Sequence, residues 1–332
     1  MKKVMAGLVW LILAGLAIHS ARCQELLGLY PVKQYGKWGY IKKSGEVAIK
    51  PQFDEGSGFS QGLARVKVGG ALEGKWGYVS RTGKIAINPQ FYDAFDFSEG
   101  LALVNAEELG NKFGYIDKTG GFAINPQFEE SGSFSGGLAK VKIGEKWGFV
   151  NIFGKIAISP QFEECGDFSE GLARALIGEK WGYVDRFGKI VINPQFEEAG
   201  DFSEGLAGVR MGTKFGYINN IGKIMINPQF DQAREFSEGL AAVKIGQKWG
   251  YLNKTGKYAI NPEYDDAGEF SEGLAAVKMT GKWCYINKSG KMTVEPKFDF
   301  GHQFSQGLAR VEIGDKLGYI DKTGAFIWQP AK

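Results

Sequence analysis

The residues that could do chemistry in this chain are few. Two histidines, His19 and His302, and three cysteines, Cys23, Cys165 and Cys284, are spread over 332 residues. No Ser–His or Cys–His pair can be assembled from them for nucleophilic catalysis. No group has zinc-ligand spacing, and no Gly-rich loop has the pattern that cradles phosphate. Acidic pairs such as Glu163-Glu164 and Glu197-Glu198 resemble paired glycosidase carboxylates in type. They recur along the chain, however, and a group repeated that often reads as a solvated acidic rim. The expectation is a protein that is not an enzyme, with no catalytic residues, no cofactor and no bound metal. With 40 basic and 37 acidic residues, the chain has no strong field to attract nucleic acid.

The elements that carry these residues are repeats. A unit of about 34 residues recurs nine times, with starts near 28, 62, 100, 137, 171, 205, 239, 273 and 307. Its most regular position is an aromatic one: Trp38, Trp76, Phe113, Trp147, Trp181, Phe215, Trp249, Trp283 and, at the end, Leu317. The fifth unit contains Gly171-Leu172-Ala173-Arg174, then Lys180-Trp181-Gly182-Tyr183-Val184-Asp185, Gly188-Lys189-Ile190, Pro194-Gln195-Phe196 and Phe202-Ser203-Glu204-Gly205. This pattern resembles the bacterial WG-repeat family over roughly residues 28–330. The resemblance implies a β-repeat module and no defined activity. Phe113, Phe215 and Leu317 depart from its Trp, and Cys284 departs from its Gly.

Within a unit, three runs of four to six residues rich in aromatic and β-branched types lie between Gly- and Pro-containing turns, which predicts three antiparallel strands joined as hairpins. Trp181 and Tyr183 alternate with Gly182 and Val184, so neither sheet face is polar, and a neighbouring unit must cover each. On this reading Trp181 is buried between units and Gly182 leaves room for a large side chain of the next one. Phe196 and Phe202 anchor a crossover to the core. The fold expected is all-β: nine tandem antiparallel three-stranded repeats forming one domain, 23–332, either as a propeller-like ring or as an open β-superhelix. Nine units exceed the usual four to eight blades of a propeller.

Two charged series follow the period. A Lys precedes every aromatic position, from Lys37 to Lys316, and the acidic crossovers are its natural partners. Ser-Glu-Gly recurs nearly unchanged, with Gln61 and Gln306 in place of Glu and Gly136 replacing it once, as turn chemistry in which side-chain oxygens bond backbone N–H groups.

Function is best sought where the repeat is broken. Units two and three carry extra residues, Gly70-Ala71-Leu72-Glu73 and Ala106-Glu107-Glu108. A second irregularity is apolar. Phe153, Phe187 and Ile221 occupy a turn position held elsewhere by Ser44, Thr82, Thr119, Thr255, Ser289 and Thr323. They form a candidate interaction surface on three adjacent units.

Residues 1–22 stand apart. Lys2 and Lys3 precede an apolar run from Val4 to Ile18, followed by Ser20 and Ala21. This is the layout of a secretory signal peptide, too short to span a bilayer. Arg22 directly before Cys23 disfavours lipid attachment. The expected localisation is exported (periplasmic, cell-surface or secreted), with no transmembrane anchor in the mature chain. The function expected is a scaffold that binds a protein or an envelope polymer, and the alternative is a carbohydrate-binding module using surface aromatics.

Overall fold

The computed structural model describes residues 28–70, 73–106 and 112–329. The expected signal peptide and part of both extra loops lie outside them. The described residues form nine antiparallel sheets and no helix. One sheet has three strands and eight have four. Numbered as blades, they cover 29–53, 55–91, 93–128, 130–162, 164–196, 198–230, 232–264, 266–298 and 300–328.

Blade 5 is representative. Its strands are Glu164–Cys165, Leu172–Ile177, Lys180–Asp185 and Ile190–Phe196. The three expected strands are present, but a two-residue strand precedes them, so the three-stranded repeat is corrected to a four-stranded one. Glu164 and Cys165 pair with Leu176 and Ala175. The second and third strands pair without interruption from Leu172↔Asp185 to Ile177↔Lys180. The fourth pairs as Tyr183↔Ile192 and Trp181↔Phe196, with Pro194 inside the register shift. Pro lacks a ladder donor, and this outermost strand at a bulge is where a sheet tolerates it.

Successive blades share cores. Val184 packs with Phe149, Ile158 and Phe162 of blade 4. Tyr183, on the opposite face, packs with Ala199, Phe202, Ala207, Val209 and Ile218 of blade 6. Both faces are therefore covered by neighbours. Phe196 and Phe202 are buried as expected.

The same interface closes the circle. Tyr30, Val32 and Ile41 of blade 1 form one buried cluster with Leu308 and Tyr319 of blade 9. The Tyr30 and Tyr319 rings meet at 5.5 Å, and Tyr319 Oη donates to the Pro31 carbonyl at 2.9 Å. The chain is a closed nine-bladed β-propeller, and among the described residues no sheet combines strands from its two ends. Side-chain packing suffices because the blade 9 to blade 1 contact repeats the chemistry of the others.

Small side chains sit on or beside the first two strands of a blade, such as Ala173, Ala175 and, just after the first strand, Gly166, and large ones on the last two, such as Tyr183, Ile192 and Phe196. Blades converge toward the axis, so the first strands line the central opening and the fourth form the rim.

Two expectations about the Trp-Gly pair are corrected. Trp181 is only half-buried, whereas Tyr183 is 1% exposed and among the largest buried side chains. Only Trp249 and Trp283 of the series are fully buried. Gly182 does not make room for the next blade. A Cβ there would lie 2.5 Å from the Ile192 carbonyl oxygen and 2.8 Å from the Pro194 nitrogen of its own fourth strand. The bulge at Pro194 brings that backbone over the glycine. In blade 8, Cys284 fills the position and its thiol reaches the Val277 carbonyl.

These placements rank substitutions. Tyr183→Ala is expected to cost about 3–5 kcal/mol, through a lost ring between two blades and a lost hydrogen bond. Trp181→Ala is expected to cost less, and Lys180→Ala only about 0–1 kcal/mol. Denaturant melts of the three variants check the order, and a Trp181→Ala loss equal to that of Tyr183→Ala contradicts it.

Candidate functional site

Three features of the surface are candidates: the axial lining, the aromatic positions beside it, and the turns between third and fourth strands.

The axial lining is charged. The residue before each anchoring Phe is Asp96, Asp167, Asp201, Glu235 and Glu269 in blades 3, 5, 6, 7 and 8. Three of these meet a cation from the preceding blade: Arg65 to Asp96 at 3.2 Å, Lys140 to Asp167 at 3.4 Å and Arg174 to Asp201 at 3.1 Å. For Glu235 and Glu269 the matching positions are Gly208 and Ala242. Partial burial raises the Glu235 carboxyl, and the Asp201 and Glu269 carboxylates raise it further. Burial likewise raises Asp201, which Arg174 partly offsets. At the closing seam, His302 Nε2 lies 2.8 Å from Arg310 and 3.2 Å from Glu312 Oε1. Burial lowers the His302 pKa. Its partners are thus charged groups rather than a nucleophile. Cys165 and Cys284 are buried and unbonded to each other, and burial pushes their thiols up to about 12 and about 11. Among the described residues no group of three or more His, Cys, Asp or Glu is placed to hold a metal ion.

The aromatic positions are already in use. The Arg174 guanidinium lies 5.4 Å from the Trp181 ring centre, Arg65 lies 5.3 Å from Trp76, and Arg234 lies 4.8 Å from Trp249. A sugar stacking on those faces would have to displace the cation. Seven of the nine lysines in the series find the acidic partners expected for them, while Lys75 lies over the Tyr92 ring. Lys146 reaches Glu163, Lys180 reaches Glu197 and Lys214 reaches Asp231, at 2.7, 2.8 and 2.6 Å. The Lys180 ammonium and backbone N–H groups, Gly212 N–H among them, hold the Glu197 carboxyl below the usual range.

The Ser-Glu-Gly turn works between blades and not within one. Ser169 Oγ donates to the Phe202 carbonyl of the next blade at 2.6 Å. Glu170 Oε2 accepts the Gly205 N–H of that blade at 2.9 Å. Glu170 holds this pose at φ 51°, a left-handed conformation that non-glycine residues seldom adopt. The same two bonds recur from Ser203 to Phe236 and from Glu204 to Gly239.

The turns between third and fourth strands lie on the same face. Lys254 Nζ, in one of them, donates to the Glu204 carbonyl and meets Glu204 Oε2 at 3.0 Å. Lys288 with Glu238 and Lys322 with Glu272 repeat this latch to the preceding blade. Blades 4, 5 and 6 lack that lysine and have Ile152, Arg186 and Asn220 instead. The same three turns carry Phe153, Phe187 and Ile221, which are 75, 90 and 73% exposed. The structure brings these residues together on consecutive blades at the rim of one face, in the order the sequence predicts.

The backbone of these turns does not need apolar tips. Asp185 Oδ1 accepts the Phe187 and Lys189 N–H groups at 2.9 and 3.0 Å. In blade 7 Asn253 does the same for Thr255 and Lys257, and the Thr255 hydroxyl adds a bond to Asn253. Exposed apolar residues continue onto the fourth strands below the tips, as Ile156, Val191 and Met225.

The repeat itself decides the family. A model of the WG containing repeat matches residues 38–70, 76–108, 113–147, 147–181, 181–214, 215–249, 249–283 and 285–316. The chain belongs to the WG-repeat family. No curated protein matches this WG-repeat protein. Among solved structures it is similar to a eukaryotic initiation factor, at 11% identity and TM-score 0.49, over 92% of this chain and 84% of that one. It is also similar to Hsv2 of Kluyveromyces lactis, at 10% identity and TM-score 0.40, over 56% of this chain and 70% of that one.

The triple variant Phe153→Thr, Phe187→Thr, Ile221→Thr is expected to melt within about 0.5 kcal/mol of the parent protein, as exposed substitutions do. A loss of several kcal/mol in a denaturant melt would show that these side chains are structural.

Proposed function

We propose that this WG-repeat propeller is a non-enzymatic scaffold, exported from the cell, that binds a protein or an envelope polymer. The observation that carries the reading is the localised apolar arc. Its side chains are nearly fully exposed on blades 4–6, and the fold uses Thr or Ser in the other turns at the same place. An apolar row that folding does not require marks a surface for contact. Three of the axial acids, Asp96, Asp167 and Asp201, are paired with cations of the preceding blade, and His302 lies between Arg310 and Glu312. Among the described residues, no helix is long and apolar enough to cross a membrane. The Lys2-Lys3 start and the Val4–Ile18 run support export.

A photo-crosslinking amino acid at position 187, compared with one at position 255, tests the contact in the producing cell. An adduct specific to position 187 is expected. Equal or absent labelling at both positions would contradict the contact surface. N-terminal sequencing of the same purified protein should begin near Arg22 to Gln24, and an intact Met1 would contradict export.

A further inference from the structure

The apolar arc is set in a basic surround. Lys155, Lys189 and Lys223 follow its tips by two residues, Arg186 precedes Phe187, and all four are exposed. The acid in these three turns is Asp185, and its Oδ1 is occupied by two backbone N–H groups. The matching residues in blades 4 and 6 are the neutral Asn151 and Asn219. The tips are convex. Phe187 protrudes from a turn at the rim, and each tip belongs to a separate blade. A rigid protein partner would need three separate pockets spaced to match them. A fluid apolar layer beneath a negatively charged surface accepts all three without matching.

The latch supplies an independent observation. In blades 7, 8 and 9 the lysine of this turn is folded back onto the preceding blade's Glu, which leaves the tip flat and polar. In blades 4–6 the latch residue is replaced, and between blades 4 and 5 both partners change. Gly136 stands where Glu would be and Arg186 where Lys would be. Arg186 therefore has no carboxylate to fold back on at that position. The arc is a coordinated departure from the repeat at the tip and at the latch: the tip change leaves apolar groups facing outward, and the latch change leaves Arg186, its guanidinium beside Gly137, with no carboxylate at position 136.

We infer that blades 4–6 dock the propeller edge-on onto an anionic lipid bilayer, with Phe153, Phe187 and Ile221 inserted at the headgroup boundary and Lys155, Arg186, Lys189 and Lys223 against the headgroups. This rests on the arc's being a contact surface and goes further by assigning what it contacts. The other blades and the opposite face then remain free for a macromolecular partner.

The test uses the chain from Cys23 onward, because the apolar run before it would bind lipid by itself, and because residues 28–328 close the ring alone. Vesicles of phosphatidylcholine with one third phosphatidylglycerol are sedimented with the protein. Binding is expected, weaker by at least about tenfold for the triple Thr variant, in line with the loss of three apolar insertions. Raising salt from about 0.1 to about 0.5 M should weaken it severalfold. A Phe187→Trp variant should shift its emission to the blue on vesicles and be quenched by bromine-labelled acyl chains, whereas Thr255→Trp should do neither. Failure of the folded parent protein to bind these vesicles, equal binding by the triple variant, or equal binding to pure phosphatidylcholine would each overturn the inference. A protein adduct at position 187 together with no vesicle binding would overturn it while leaving the contact surface intact. A blue shift of the Phe187→Trp variant that depends on protein concentration without lipid would instead make the arc a contact between copies.

Discussion

Each blade is apolar on both faces, and that constraint governs the rest of the structure. A sheet carrying Tyr183 on one side and Val184 on the other cannot stop at water on either side. Stacking transfers the problem to the next blade, and only a ring removes it. The seam between blades 9 and 1 buries Tyr30, Val32 and Tyr319 much as any internal interface does. Convergence toward the axis then explains why small residues lie on the inner strands and rings on the outer ones. The nine-blade count exceeds the usual range without disturbing the unit.

Polar groups give the apolar interfaces their register. Apolar packing alone would let neighbouring blades slide. The Ser169 hydroxyl and the Glu170 carboxylate each bind the backbone of blade 6, and the Tyr183 hydroxyl reaches the Gly200 carbonyl at 2.7 Å. Each such bond contributes about 1 kcal/mol net. Their repetition from blade to blade fixes one relative position at every interface. The left-handed backbone of Glu170 and its counterparts is the local strain this arrangement carries. Position 149 is Phe, so the hydroxyl contact is missing between blades 4 and 5, where Cys165 and Gly166 lie opposite.

Much of this is legible in the sequence, and what is not has physical reasons. The strands and hairpins follow from period-two alternation between Gly and Pro. The Phe196 and Phe202 anchors and the Lys180–Glu197 pairing follow from recurrence. The short first strand, Glu164–Cys165, is not legible because two residues show no alternation. Trp181 marks the repeat and so reads as its deepest residue, yet depth in the sheet and not size selects the buried ring, which is Tyr183. The partners of Ser169 and Glu170 are invisible in one unit because they lie in the next. One inter-blade signal is present but easily missed: the acids Asp96, Asp167 and Asp201 occur where the preceding unit carries Arg65, Lys140 and Arg174. The apolar arc is legible because it breaks a rule that the other units keep. Its exposure, and the altered latch beneath it, require the structure.

Closure is the claim on which both the fold and the placement of the arc depend. Tyr35 of blade 1 and Asp315 of blade 9 line one groove across the seam. Spin labels at these two positions, measured by double electron–electron resonance, test it directly. The ring predicts one short distance, well within the lower range of the method. Nine sheets about 10 Å apart in an open stack would separate the labels by roughly 80 Å. A broad distribution at long distance would contradict the closed propeller.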